Sequence, residues 1–155
     1  MNSFMKASEL ENYGKKIFLK YFSTADNIRE VTNKDEQREC GDWEIDGIYH
    51  ETKIENRHTG NLFLETYSNK SKNIPGWMFK EQKAYFLWYA FIDKEICYVF
   101  DFDKLKLWFK ENHINYREIS QGKYVQHNDT YGRIVPIEDL KKAGLIEVEI
   151  LDFKL

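Results

Sequence analysis

Asp46-Gly47 constrains this chain more than any other pair, because an Asp-Gly step between two alternating segments marks a two-residue hairpin turn. With that pair as the loop, Ile45 faces Ile48, Glu44 faces Tyr49, Trp43 faces His50, and Asp42 lies across from Glu51. Alternation over residues 48–55 sets Tyr49, Glu51, Lys53 and Glu55 on one face, with Ile48, His50, Thr52 and Ile54 on the other. Two carboxylates and one ammonium therefore share a patch. Like charges opposite each other on paired strands repel, and a divalent cation held between them relieves that repulsion.

The chain has 155 residues, which suits a single domain over 1–155 with its own core, and carries no apolar run long enough to span a bilayer. Its first residues lack the basic start and apolar block of a secretory signal, and Cys40 and Cys97 stand in no paired spacing, so a reduced, cytoplasmic protein is expected. With 23 basic against 26 acidic residues, net −3, bulk electrostatic coating of nucleic acid is excluded, although Lys70, Lys72, Lys80 and Lys83 gather locally.

Leu10, Tyr13, Ile17 and Tyr21 recur at helical spacing after Ser8, which predicts a first helix over 9–22 with Ser8 as its cap and Glu11 closing a capping box. A strand at 28–32 and a polar connection at 33–40 lead into the hairpin. A glycine-containing loop at 56–60 and an alternating strand at 61–67 then predict a three-strand antiparallel meander. Residues 68–76 read as a mobile surface loop, 78–83 as a short helix, and 84–92 with 95–100 as a buried hairpin across Asp93-Lys94. Helices at 104–112, capped by Asp103, and 136–143, closed by Gly144, precede a last strand at 145–151. The expected class is α+β, a mainly antiparallel, mixed central sheet flanked by helices.

If the 56–60 loop pairs Asn56 with Gly60, Glu65 lies opposite Glu51 and completes a row of three acids with Asp42. Three carboxylates and one lysine at a sheet surface suit Mg²⁺, with Mn²⁺ as a substitute, because both are hard cations that take oxygen ligands. Phosphodiester hydrolysis needs a metal to polarise the phosphoryl group and acidify water, and a lysine beside it to orient that water. Asp42, Glu51 and Lys53 supply those parts, and Glu65 supports them.

An acid, a short hairpin and Glu-x-Lys on the next strand, all preceded by a helix, resemble the PD-(D/E)XK nuclease superfamily. Gln37, Asp42, Glu51-Thr52-Lys53, the run from Thr59-Gly60-Asn61 to Glu65, Gly76-Trp77 and Ala84-Tyr85 are similar to small nuclease-like proteins of phages and prophages. The resemblance implies a restriction-endonuclease-like core and DNA as substrate. It makes Asp42 and Glu51 metal ligands, the Thr52 carbonyl a third ligand, and Lys53 the water-positioning base. It also implies an acid from the first helix, Glu9 or Glu11, and often a homodimer. Gly41 stands where the family name has proline.

Lys80, Gln82 and Lys83 are the candidates for DNA phosphate contact, from the helix expected beyond the loop. Trp77, after Pro75-Gly76, is either a packing residue or a base-stacking one. His50 points inward and is expected to be a hydrogen-bonded core residue, and neither cysteine has a nucleophile's context. The alternative to an enzyme is a non-catalytic DNA- or protein-binding accessory module of phage origin that retains the nuclease fold.

Overall fold

The structure is a computed structural model and describes residues 5–121 and 129–155. In chain order the elements are α1 (Ala7–Phe22), β1 (Ile28–Glu30), α2 (Lys34–Cys40), β2 (Trp43–Ile45), β3 (Ile48–Glu55), β4 (Asn61–Asn69) and β5 (Ile74–Pro75). These are followed by β6 (Phe86–Phe91), β7 (Ile96–Asp101), α3 (Phe102–Asn112), a 3-10 turn at His113–Asn115, β8 (Glu118–Ser120), β9 (Tyr131–Pro136), α4 (Ile137–Lys142) and β10 (Ile146–Ile150). The class is α+β, as the sequence predicts. Among the described residues, no helix is long and apolar enough to cross a membrane.

The chain divides into two compact units, each with its own sheet. The first comprises Met1–His58, Lys83–Phe102 and Ile146–Leu155, and the second Thr59–Gln82 and Asp103–Leu145.

The first unit holds a six-stranded mixed sheet in the order β1-β2-β3-β6-β7-β10. Its β2–β3 hairpin turns through Asp46 at φ 49° and Gly47 at φ 83°, and pairs Ile45 with Ile48, Glu44 with Tyr49 and Trp43 with His50, the expected register. Helix α1 packs Ile17, Phe18 and Phe22 against Trp43, Ile45, Trp88 and Phe153, with the Phe22 ring centroid 5.0 Å from that of Trp88. Its cap differs from expectation. Lys6 occupies the N-cap without a side-chain hydrogen bond, and Ser8 lies inside the first turn.

The three-strand meander does not form. Strand β3 pairs in parallel with β6, Thr52 beside Trp88 and Lys53 beside Tyr89, while β4 belongs to the other sheet. The cause lies in Asn56 and His58, which are held elsewhere in the first unit instead of closing a hairpin. The Asn56 side chain bonds the amide and carbonyl of Met5 at 2.9 and 3.0 Å, and the His58 amide donates to Asp93 Oδ1 at 2.9 Å. Strand β6 is the apolar run expected of a parallel strand covered on both faces.

The second unit holds an antiparallel sheet in the order β5-β4-β9-β8, with Leu62 opposite Val135 and both fully buried. Part of the stretch expected to be a mobile loop is strand β5, and the expected helix at 78–83 is a turn followed by chain with no regular structure.

Candidate active site

Asp42 follows α2, which stands where the sequence predicts only a polar connection. Its N-cap Asn33 accepts from the amides of Asp35 and Glu36, and its C-cap Gly41 has φ 118°. A Cβ on Gly41 would stand 2.7 Å from the His50 carbonyl oxygen, so only glycine lets the chain cross β3 this closely. The crossing delivers Asp42: its amide donates to the His50 carbonyl at 2.9 Å, and its own carbonyl accepts from the Val31 amide at 2.8 Å.

The Asp42 carboxylate then meets Thr52, where one oxygen accepts from the Thr52 amide at 2.9 Å and from its hydroxyl at 3.0 Å. The structure thus joins Asp42 to the Glu51-Thr52-Lys53 tripeptide, and the contact falls on the middle residue. Amide and carbonyl of one strand residue point to the same edge, so the Thr52 carbonyl faces the edge where Asp42 sits. Thr52 and Ile54 lie on the α1 side of β3, and the His50 ring there is 5.3 Å from Phe22. Glu51, Lys53 and Glu55 take the opposite face, as alternation requires. Glu55 accepts from the Tyr89 hydroxyl at 2.5 Å, and burial raises its carboxyl above the usual range against the opposing pull of that bond and of Lys53.

On the α1 side a cavity of about 170 Å³ is lined by Glu11, Lys15, Glu30, Gln37, Asp42 and Thr52. Glu30 Oε2 is buried there without a hydrogen-bond partner, and Lys15 reaches Glu11 at 3.7 Å. Of the two first-helix acids, Glu11 lines this cavity and Glu9 does not. Glu30 and Lys15 went unnoticed in the sequence; the available signal was Glu30 ending a strand on the same face as Trp43.

Glu65 is not opposite Glu51. It stands on β4 in the second unit opposite Gly132, and its carbonyl accepts from the Met78 amide at 3.2 Å. Its Cγ would lie 2.6 Å from a Cβ on Gly76, so the side chain is packed along that glycine. The expected row of three acids across one meander is therefore absent, because the meander that required it is absent. Among the described residues, no three His, Cys, Asp or Glu side chains form a group able to hold a metal. Asp42 lines the α1-side cavity with Thr52, whereas Glu51 stands on the opposite face of β3.

Lys80, Gln82 and Lys83 lie on no helix. Lys83 bonds Glu39 at 3.2 Å, which raises its ammonium pKa, and the Lys80 carbonyl accepts from Lys106 Nζ at 3.1 Å. Trp77 is buried, a packing residue. His50 is a core residue whose Nδ1 accepts from Trp88 Nε1 at 3.0 Å, and Cys40 and Cys97 are free and buried. No family model, curated protein or solved structure matches the chain.

Proposed function

We propose that the chain is a divalent-cation-dependent DNA nuclease of the PD-(D/E)XK type. The supporting observation is the Asp42 carboxylate fixed by two hydrogen bonds to Thr52, inside the tripeptide that carries Glu51 and Lys53. By the resemblance, Asp42, Glu51 and the Thr52 carbonyl would hold Mg²⁺ or Mn²⁺, and Glu11, in the cavity that Asp42 lines, would be the first-helix acid, although Glu51 stands on the other face of β3 from that cavity. Bound there, the cation supplies Lewis-acid polarisation of the phosphoryl group and acidification of water. Lys53 positions the attacking water and offsets charge developing on the phosphate. Lys83 is the proposed phosphate contact within the first unit, with Lys80 and Gln82 lying in the second, a homodimer is the proposed route to cutting both strands, and the reducing cytoplasm is the proposed setting. Glu65 has no part in this arrangement.

The test is incubation of supercoiled plasmid with and without Mg²⁺ or Mn²⁺. Nicking by the wild type only with metal, abolished in Asp42→Asn and reduced about 10²-fold or more in Lys53→Ala, is the expected result. Undiminished nicking in either variant overturns the assignment. DNA binding without nicking in any metal points instead to the non-catalytic accessory module.

A further inference from the structure

The second unit contains a cavity of about 250 Å³ whose walls include Tyr67, Phe79, His113, Glu118 and Arg133. Its volume equals the liquid share of about eight waters, room for one ring-sized group. Two kinds of chemistry line it.

The first is aromatic. Phe79 meets His113 edge-on with centroids 5.0 Å apart, and Phe109 backs both rings at 5.4 and 5.5 Å. His113 Nδ1 sits 3.1 Å from the carbonyl oxygens of both Phe109 and Lys110. Carbonyls only accept, so Nδ1 carries a hydrogen. The ring is therefore fixed in orientation.

The second is cationic. Glu118 takes Lys70 Nζ at 2.8 Å on one oxygen and Arg133 Nη2 at 3.2 Å on the other. Two cations share one carboxylate, which leaves a surplus positive charge. Arg133 Nη1 is spent on the Tyr116 carbonyl at 2.8 Å, yet its buried Nε has no hydrogen-bond partner. Lys70 reaches the cavity through Glu118, and its Nζ lies 4.6 Å from the Tyr131 ring centroid and 5.8 Å from that of Tyr67, which lines the wall.

Aromatic faces accept a nucleobase of any identity, and a guanidinium beside an ammonium accepts a phosphate. We propose that this cavity binds a single nucleotide, its base among Tyr67, Phe79 and His113 and its phosphate toward Lys70 and Arg133. The source is a free mononucleotide or the phosphorylated end of a nucleic-acid strand. The inference uses no residue of the first unit and stands apart from the nuclease reading.

Calorimetry on the full chain with 5′-dAMP, deoxyadenosine and inorganic phosphate tests it. The nucleotide is expected to bind at least tenfold more tightly than either fragment. Lys70→Ala, at a half-exposed side chain, is expected to weaken dAMP about fivefold and leave deoxyadenosine unchanged. Phe79→Leu is expected to weaken dAMP and deoxyadenosine alike. Phosphate binding as tightly as dAMP, indifference to Lys70→Ala, or no binding at all overturns the proposal. Competition of a 5′-phosphorylated oligonucleotide with dAMP assigns the site to strand ends, and failure to compete assigns it to the free nucleotide.

Discussion

Acidification should weaken this protein through His50. The imidazole is 8% exposed, with its ring between Phe22 and Phe86, both at 5.3 Å. Its Nδ1 accepts from the Trp88 indole, a bond that only the neutral ring can make. Burial lowers its pKa to about 4 from an ordinary 6.5. The unfolded chain therefore binds a proton that the folded chain refuses between those two values, and stability falls as pH drops through the window. Integrated from pH 7.5 to 5.0, that difference costs about 2 kcal/mol. The comparison to make is denaturant unfolding of the wild type and His50→Gln at both pH values, since glutamine keeps an acceptor for Trp88 and does not titrate. The wild type should lose about 2 kcal/mol more than the variant over the interval, whatever the variant costs at pH 7.5. Parallel losses, or an imidazole titrating near its ordinary value by NMR, would refute the reasoning. The effect reaches the candidate site, because the His50 carbonyl holds the Asp42 amide.

Two further outcomes follow from the same strand. Gly41→Ala places a methyl group 2.7 Å from the His50 carbonyl at φ 118°, and should cost about 2–3 kcal/mol and lower the midpoint of a circular-dichroism melt by roughly 5–10 °C. An unchanged melt would mean that the crossing over β3 is not as tight as described. Tyr89→Phe removes the hydroxyl that stabilises the charged form of Glu55, so the Glu55 pKa should rise further. The group is charged when folded only above that raised value, so the variant should be more destabilised at pH 8 than at pH 5, by about 1 kcal/mol. Denaturant midpoints at the two pH values decide it, and equal destabilisation would remove Glu55 from the account.

What could be read in the sequence was whatever the chain decides locally. The β2–β3 hairpin and its register were legible because Asp46 and Gly47 both adopt positive φ and alternation fixes the faces on either side. Helix α1 was legible from its apolar stripe, but its cap was not, since Lys6 caps with an extended backbone and no side chain. Helix α2 has the sequence KDEQREC, with no apolar stripe to betray it, and only Asn33 and Gly41 mark its ends. The partner of β3 was illegible for a different reason. A parallel pairing needs a long crossover, and here the crossover carries β4 and β5, which pair within the other sheet.

Those two failures account for the difference between the expected and the observed site. Glu65 was placed beside Glu51 by the assumption that consecutive strands pair, and it moved to another sheet when they did not. Asp42 was placed by a turn that the chain does fix, but its carboxylate meets Thr52, one residue on and on the face opposite Glu51 and Lys53, so the expected patch with Glu51 and Lys53 does not form. The shift from Glu51 to Thr52 follows from Gly41: at φ 118° the backbone leaves the ladder just before β2, and the Asp42 side chain turns along the strand edge toward the next amide in need of an acceptor. A carboxylate held at a strand edge by an amide and a hydroxyl loses little further entropy on taking a cation. The proposed nuclease reading would require such preorganisation of its first ligand.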